Sequence, residues 1–294
     1  MHPSLTVYDN GLFQYINPDF EIRVLDSTCR FAEGPVWNKE GFYLFSDIPQ
    51  NAICKISKGE GKEMYLEQSG CGPDNTRALS EQIGSNGLAY DAVGNLLICQ
   101  HGNGALAVYD GTSIKPYIDS FNGKPFNSPN DVVVHGSGAV FFSDPPYGLK
   151  DQKLDGRLYQ PVAGFYRWQN NQVQLITDRY HYPNGVCLSP NGESLYTCSN
   201  KPFEAFVLEW DVETLQSKRQ VAAESGDGIK CDRFGNLYLC NKDGLLILDS
   251  NGKRMGLIAL ETVPANCCWG GRHGRDLLVT ARQHLFLIPD LQKA

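Results

Sequence analysis

The sequence contains no long hydrophobic run and no surplus of basic charge. No stretch of about 18 apolar residues occurs, so we expect no transmembrane helix and no membrane partner. The formal net charge is −7 and the lysines are scattered, which argues against a nucleic-acid partner because that surface needs a basic stripe. No linker or low-complexity segment divides the 294 residues, and we expect one domain over residues 1–294.

Paired metal-binding or redox cysteines are also missing. The ten cysteines include no C-x-x-C motif, and Cys99, Cys198 and Cys240 occupy nearly the same place in three repeated segments. Equivalent places indicate equivalent packing, so we interpret most cysteines as small buried residues rather than as a disulfide framework. The first residues show no basic n-region and no apolar h-region of a signal peptide, and these features together predict a cytoplasmic location.

The sequence does contain a repeat, in which an acid or amide residue is followed eight positions later by glycine. It occurs six times at intervals of about 40 to 54 residues, which is the signature of a repeat protein. The acid or amide positions are Glu33, Asn86, Asn130, Asn184, Asp227 and Asn266. The matching glycines are Gly41, Gly94, Gly138, Gly192, Gly235 and Gly274.

Each copy of the repeat predicts short antiparallel strands. In the second copy, an apolar segment at 88–90 leads into a turn around Gly94 and a returning strand at 96–99. A third strand follows in every copy and a fourth in most. Six such units indicate an all-β, six-bladed β-propeller with four strands per blade rather than a β-sandwich, which would not explain the constant offset. Since the last copy has only three strands, we predict that residues 20–26 close the ring in the last blade.

The six acid or amide residues would form one ring, because the first strand of each blade lines the central channel. Buried polar groups without partners cost free energy, and two carboxylates in a narrow channel repel each other, so the ring predicts one bound divalent metal. An all-oxygen donor set favours Ca²⁺, with Mg²⁺ or Mn²⁺ as alternatives, whereas Zn²⁺ more often takes nitrogen or sulfur. The competing interpretation is that pairs such as Asn86-Gly87 only form turns before the strands.

Strand direction places the residues that follow each second strand over the ring. The mouth is therefore predicted to contain Ser46, Asp47, His101, the segment from Asp144 to Tyr147, Asn200 and Asn241. The longest insertions, 68–85 and 145–163, fall on the same face, where insertions carry specificity. His101 has three open interpretations: a surface or structural residue, a substrate contact, or a base.

Segments along nearly the whole chain resemble the SMP-30/gluconolactonase/LRE-like family, and its bacterial gluconolactonase branch in particular. They are AEGPVW at 32–37, CQHGNG at 99–104, SPNDVVV at 128–134, FFSDPPYGL at 141–149, YPNGVCLSPNGESLY at 182–196, GDGIKCDRFGNLYL at 226–239 and NCCWGG at 266–271. The resemblance implies a six-bladed propeller with one divalent metal, commonly calcium or zinc, in its channel. It implies that Glu33, Asn184 and Asp227 bind the metal, that Asn130 binds it directly or through water, and that Asp227 is the general base.

These features together favour metal-dependent hydrolysis of a sugar lactone, by resemblance D-glucono-1,5-lactone to D-gluconate. The metal would polarise the carbonyl while Asp227 exchanges a proton with water and the leaving hydroxyl. The residues expected to contact the substrate are Asn86, His101, Asn130, Tyr147 and Asn200. Two alternatives remain: a related propeller hydrolase acting on other lactones or phosphotriesters, and a non-enzymatic, calcium-stabilised binding propeller. A serine hydrolase is disfavoured because no G-x-S-x-G motif is present.

Overall fold

The computed structural model describes residues 1–77 and 79–294. Six antiparallel sheets form most of the molecule, five with four strands and one with five. The innermost strand of every sheet contacts the innermost strands of both neighbours, so the six sheets form a closed ring. The predicted six-bladed β-propeller is thereby confirmed.

The first three blades occupy the N-terminal half of the chain. Blade 1 consists of Ala32–Asn38, Phe42–Asp47, Ala52–Ser57 and Glu63–Glu67. Blade 2 consists of Ser85–Tyr90, Leu96–Gln100, Ala105–Tyr109 and Ile114–Ile118, and a small hairpin of Ser120–Phe121 and Lys124–Pro125 follows it. Blade 3 consists of Val132–Val134, Val140–Asp144, Gly164–Gln169 and Gln172–Thr177.

The last three blades follow the same order from the channel outwards. Blade 4 consists of Pro183–Leu188, Ser194–Ser199, Val207–Asp211 and Ser217–Ala222. Blade 5 consists of Ile229–Cys231, Leu237–Asn241, Gly244–Leu248 and Arg254–Ile258. Blade 6 takes Asn266–Gly270, Asp276–Ala281 and His284–Ile288 from the C-terminal end of the chain.

The N-terminal segment supplies the missing strand of blade 6. Arg23–Asp26 pairs antiparallel with His284–Ile288, which confirms the predicted closure by residues 20–26. A second N-terminal strand, Leu5–Val7, pairs with Arg254–Ile258 and becomes a fifth strand of blade 5, which was not predicted. The segment is therefore attached to two blades through backbone hydrogen bonds.

Apolar side chains fill the spaces between neighbouring blades. The contact between blades 5 and 6 also takes Leu12, Ile16 and Phe20 from the N-terminal segment, and each is at most 3% exposed. All ten cysteines are free and nine are buried, so the prediction that most are small core residues is confirmed. The six glycines of the repeat, from Gly41 to Gly274, have positive φ. They form the predicted turns at the strand ends opposite the channel.

In the part of the chain that the structure describes, helices are limited to four short 3-10 turns, namely Asn10–Gln14, Ile48–Gln50, Lys150–Gln152 and Pro202–Glu204. Within residues 1–77 and 79–294, no helix has the length and apolar character needed to cross a membrane.

Candidate functional site

The residues that begin the repeats lie where the inner strands bend at the channel. Regular pairing is interrupted between Glu33 and Val36, and again between Pro183 and Val186. Such β-bulges turn a side chain away from its regular direction beside functional sites. The turn interpretation of the Asn-Gly pairs is therefore wrong, since Asn86 and Asn184 lie within strands rather than in turns.

The glycines after these residues allow neighbouring blades to approach closely. The amide of Gly87 donates to the Asn130 carbonyl at 2.6 Å, and the amide of Gly185 donates to the Asp227 carbonyl at 2.9 Å. A Cβ atom on Gly87 would lie 2.5 Å from the Asn130 carbonyl oxygen, which is too close for any larger residue. These contacts bring the polar side chains of adjacent blades within hydrogen-bonding distance.

The ring amides are joined in one direction around the channel. Asn86 Nδ2 donates to Asn130 Oδ1 at 2.5 Å, and Asn130 Nδ2 donates to Asn184 Oδ1 at 2.9 Å. Asn184 Nδ2 in turn donates to Asp227 Oδ1. The series of donors ends on a carboxylate, which accepts without donating.

One cavity of about 150 Å³ has five of the ring side chains in its wall, and these include every predicted metal ligand. Its wall is formed by Phe31, Glu33, Ile48, Gln82, Asn86, Asn130, Tyr147, Gln152, Asn184, Asn200, Lys201 and Asp227. A larger groove of about 710 Å³ lies between the glycine turns of blades 1 and 6, at the other end of the strands, and contains none of the predicted site residues.

The two carboxyl groups of the cavity are buried, and burial disfavours their ionised forms. Burial raises the pKa of Glu33 well above its usual value, and the nearby Asp227 carboxylate raises it further. Burial also raises the pKa of Asp227, to about 6, although hydrogen bonds from Asn200 and Asn184 oppose this rise. Burial therefore disfavours the ionised form of both carboxyl groups.

The cavity wall offers carboxylate and amide oxygens that could act as metal ligands. Asn86 Oδ1 is buried without a hydrogen-bond partner among the described residues. Such an orphaned oxygen costs free energy unless a ligand satisfies it. In the described part of the chain, no cluster of three or more His, Cys, Asp or Glu residues is arranged to hold a metal. The two carboxylates and the amide oxygens are the ligand types that hard divalent cations such as Ca²⁺ prefer.

Asn266, the sixth ring member, does not line the cavity. Its Oδ1 accepts from the amide of Cys267 at 2.9 Å, and its side chain hydrogen-bonds Glu33, which lowers the pKa of that carboxyl. Asn266 therefore positions Glu33.

His101 lies behind the ring rather than in the cavity wall, and it is fully buried. Nδ1 lies 3.2 Å from the carbonyl oxygen of Gln82, which can only accept, so we assign the proton to Nδ1. With the proton on Nδ1, Nε2 accepts from Asn86 Nδ2 at 3.4 Å. Nε2 also lies 3.3 Å from Asn130 Oδ1, which is an acceptor and forms no hydrogen bond with it in this tautomer. Since Nδ2 of Asn86 is held between His101 and Asn130, the unpaired Oδ1 is fixed in its orientation. The surface interpretation of His101 is wrong, and its position favours the structural interpretation.

The buried imidazole predicts a pH-dependent loss of stability in acid. Burial lowers the pKa of His101 from 6.5 to about 4, so its contribution is present above pH 6.5 and is lost as pH falls towards 4. We expect the difference in unfolding free energy between wild type and His101→Gln to fall by about 3 kcal/mol across this range. Urea unfolding at several pH values with chelator present measures it. The exposed His273→Gln variant is the control, and a difference independent of pH would contradict a neutral buried His101.

Two acids predicted at the mouth build the backbone instead of facing the cavity. Asp47 accepts from the amides of Arg30 and Phe31 at 2.9 and 3.0 Å, directly before Glu33. Asp144 accepts from the amides of Asn127 and Ser128, directly before Asn130, and burial raises its pKa to about 7. Each acid thus ends one second strand and fixes the chain that enters the inner strand of the same blade.

Ser46 and Asn241 are likewise engaged with the backbone. Ser46 Oγ donates to the Asn86 carbonyl at 2.7 Å, and Asn241 Oδ1 accepts from the amide of Asp243 at 2.9 Å. The mouth prediction therefore holds for Tyr147 and Asn200, which do line the cavity. Tyr147 OH donates to Asn200 Oδ1 at 2.9 Å, so the two side chains form one edge.

Both long insertions reach the cavity, as predicted. Gln82 comes from the first insertion and Gln152 from the second. The insertions also hold each other, because Ser80 donates from its amide and from its hydroxyl to the carbonyls of Gly148 and Tyr147, each at 2.9 Å. Gln82, Gln152 and Lys201 were missed from the sequence. For Lys201 a signal existed, since Asn200-Lys201 in blade 4 recurs as Asn241-Lys242 in blade 5.

Comparison with known proteins identifies the family of this chain. The model of the SMP-30/Gluconolactonase/LRE-like region matches residues 31–283. A gluconolactonase of Zymomonas mobilis subsp. mobilis is 29% identical over 302 residues, which cover 96% of this chain and 85% of that protein.

Solved structures agree on the fold. A gluconolactonase of Xanthomonas campestris superposes with a TM-score of 0.84 at 23% identity, covering 98% of this chain and 94% of the other. A calcium-binding protein, regucalcin, of Agrobacterium tumefaciens superposes with a TM-score of 0.73 at 18% identity, covering 94% and 95%. With the family model matched over residues 31–283, the chain belongs to the SMP-30/gluconolactonase/LRE-like family.

Proposed function

We propose that the protein is a metal-dependent lactonase that opens a sugar lactone, D-glucono-1,5-lactone to D-gluconate. Family membership and the gluconolactonase relative support a lactone-hydrolysing enzyme. The observation that carries the proposal is the cavity itself, where two buried carboxylates and the unpaired Asn86 oxygen converge beside polar side chains. This arrangement is costly in an empty scaffold and useful in a site that binds a cation and a polar substrate.

The residues present fit a hard cation. Glu33, Asn130, Asn184 and Asp227 would hold it, with Ca²⁺ preferred and Mg²⁺, Mn²⁺ or Zn²⁺ as alternatives. When bound, the cation supplies a Lewis acid for the lactone carbonyl oxygen and lowers the pKa of a water molecule.

Asp227 is the proposed general base. It accepts hydrogen bonds from Asn184 and Asn200, which hold the carboxylate in one orientation. With a pKa near 6 it is ionised at neutral pH, yet basic enough to take the proton of water as that water attacks the carbonyl carbon. The bond between the carbonyl carbon and the ring oxygen then breaks, and the same proton returns to the oxygen that leaves as a hydroxyl.

The amides and Tyr147 are proposed to position the substrate. Asn86 and Asn130 present amide groups to the cavity, and Tyr147 with Asn200 forms its other edge. Orienting the lactone against an ionised base is worth several kcal/mol of activation free energy in enzymes. His101 contributes by fixing Asn86.

The test is lactone opening before and after removal of metal. We expect chelator to reduce glucono-1,5-lactone hydrolysis by roughly 100-fold or more, and Ca²⁺ to restore it, because the Lewis acid would be lost. Spontaneous opening is subtracted, and Mg²⁺, Mn²⁺ and Zn²⁺ are compared. Undiminished hydrolysis with chelator would overturn metal dependence. Stabilisation by Ca²⁺ without hydrolysis of any lactone in a panel would favour a binding propeller instead.

A further inference from the structure

Lys201 brings a positive charge to a cavity otherwise lined by acids, amides, aromatic groups and Ile48. It follows the second strand of blade 4 and is half-buried in the cavity wall. Its Nζ lies 5.7 Å from the ring centre of Tyr147 and 4.5 Å from that of Tyr182. The two rings are stacked with centroids 5.9 Å apart, so they form one aromatic surface under the ammonium group.

The equivalent lysine of blade 5 is placed differently. Lys242 follows the second strand of its blade in the same way, but its side chain is 81% exposed and pairs with Asp243 at 2.9 Å. For Lys201 Nζ, no hydrogen bond or ion pair is found within residues 1–77 and 79–294. Its donors are therefore free for a ligand, while the aromatic surface fixes the side chain beside the cavity.

We infer that Lys201 determines specificity by donating hydrogen bonds to the hydroxyl groups of a polyhydroxylated lactone. This inference rests on the proposed function and names the feature of the substrate that the site selects. An ammonium group has three donors, which suit hydroxyl oxygens, and aromatic rings suit the apolar C–H faces of a sugar. A lactone without hydroxyls leaves these donors unsatisfied in a partly dehydrated cavity, so it binds less well.

Lys201 extends from the mouth rather than from the ring, and its charge opposes the rise that burial causes in the pKa of Asp227. Glu33 lies in the inner strand of blade 1 and Asp227 just before that of blade 5, whereas Lys201 follows the second strand of blade 4. We therefore assign Lys201 to the polyol portion of the substrate and Asp227 to its carbonyl. Loss of the ammonium group should weaken binding of the polyol portion more than it slows the reaction of bound lactone.

The experiment compares Lys201→Met with the matched variant Lys242→Met on two lactones. For glucono-1,5-lactone we expect Lys201→Met to lower kcat/KM by roughly 10- to 100-fold, mainly through KM, because a hydrogen bond to a charged group is lost. For δ-valerolactone, which has no hydroxyls, we expect a change below about threefold, measured as substrate or as competitive inhibitor. Lys242→Met should leave both unchanged, and Lys201→Arg should restore most of the selectivity.

The outcomes separate this inference from the proposed function. Wild type that opens glucono-1,5-lactone while Lys201→Met retains its kcat/KM would overturn the role of Lys201 alone. Equal losses on both lactones would also overturn it, since they indicate a general effect on the site. Wild type that opens no lactone would overturn the proposed function and the inference together. Melting temperatures of the variants identify any loss of folding.

Discussion

Replacing Asp227 by asparagine is expected to lower kcat/KM for glucono-1,5-lactone by about 10³- to 10⁴-fold. The change removes the proposed base but keeps the size of the side chain, and general base catalysis alone contributes up to about 10⁴-fold. It also replaces one of the two carboxylates of the cavity by an amide, which weakens attraction for a divalent cation. Initial rates by pH-stat titration, with spontaneous hydrolysis subtracted, measure the loss.

Two further measurements assign the cause of that loss. The increase in melting temperature on addition of Ca²⁺ reports cation binding in the same variant, and binding that survives while activity is lost identifies Asp227 as the base. Asp243→Asn is the matched control, because this acid lies on the same face of the same blade but outside the cavity. Activity of Asp227→Asn close to wild type would contradict the proposed role.

Removal of residues 1–26 is expected to abolish cooperative folding. The deletion removes one strand from blade 6 and one from blade 5, with the buried side chains of Leu5, Leu12, Ile16 and Phe20. Truncation of a buried Leu or Ile costs about 2–5 kcal/mol, so four such losses, roughly 8–20 kcal/mol, are as large as the roughly 5–15 kcal/mol by which domains are stable. Circular dichroism during heating measures the transition.

A single substitution in the N-terminal segment tests the same prediction in a protein that still folds. Leu12→Ala should lower the unfolding free energy by about 3 kcal/mol or more, since Leu12 is completely buried. Val24→Ala, in the closing strand but with its side chain 53% exposed, should cost less than about 1 kcal/mol. Urea unfolding at a fixed metal concentration compares them. Equal stability of the deletion variant and wild type would show that the N-terminal strands do not hold the ring closed.

The fold was predictable because the eight-residue spacing from acid or amide to glycine marks both ends of the inner strand in every blade. The glycine of each copy marks a turn, and the acid or amide eight residues earlier marks the channel end, so the count of copies gives the count of blades. The closing strand followed from the three-stranded last copy. The strand Leu5–Val7 was not predictable in the same way. It is added to a blade that already has four strands, so no gap in the repeat indicates it.

The sequence could not assign some site residues because it does not show in which direction their side chains point. Asp47 and Asp144 stand beside the mouth in chain order, but both turn back to backbone amides of their own blades. Lys201 and Lys242 have the same neighbour and the same place in the repeat, yet only Lys201 meets two tyrosine rings. These rings come from a neighbouring insertion and from the preceding loop, so the difference depends on tertiary contacts.

The bulged Asn-Gly pairs of the channel also have a consequence for chemical ageing. Asparagine followed by glycine deamidates when the next backbone nitrogen attacks the side-chain carbonyl, and such asparagines are among the thermolabile residues of proteins. In the ring, the nitrogens of Gly87 and Gly185 are both engaged by carbonyl groups of the adjacent blade. The hydrogen bonds that join neighbouring blades therefore also protect Asn86 and Asn184 from conversion to acids, for as long as the ring remains folded.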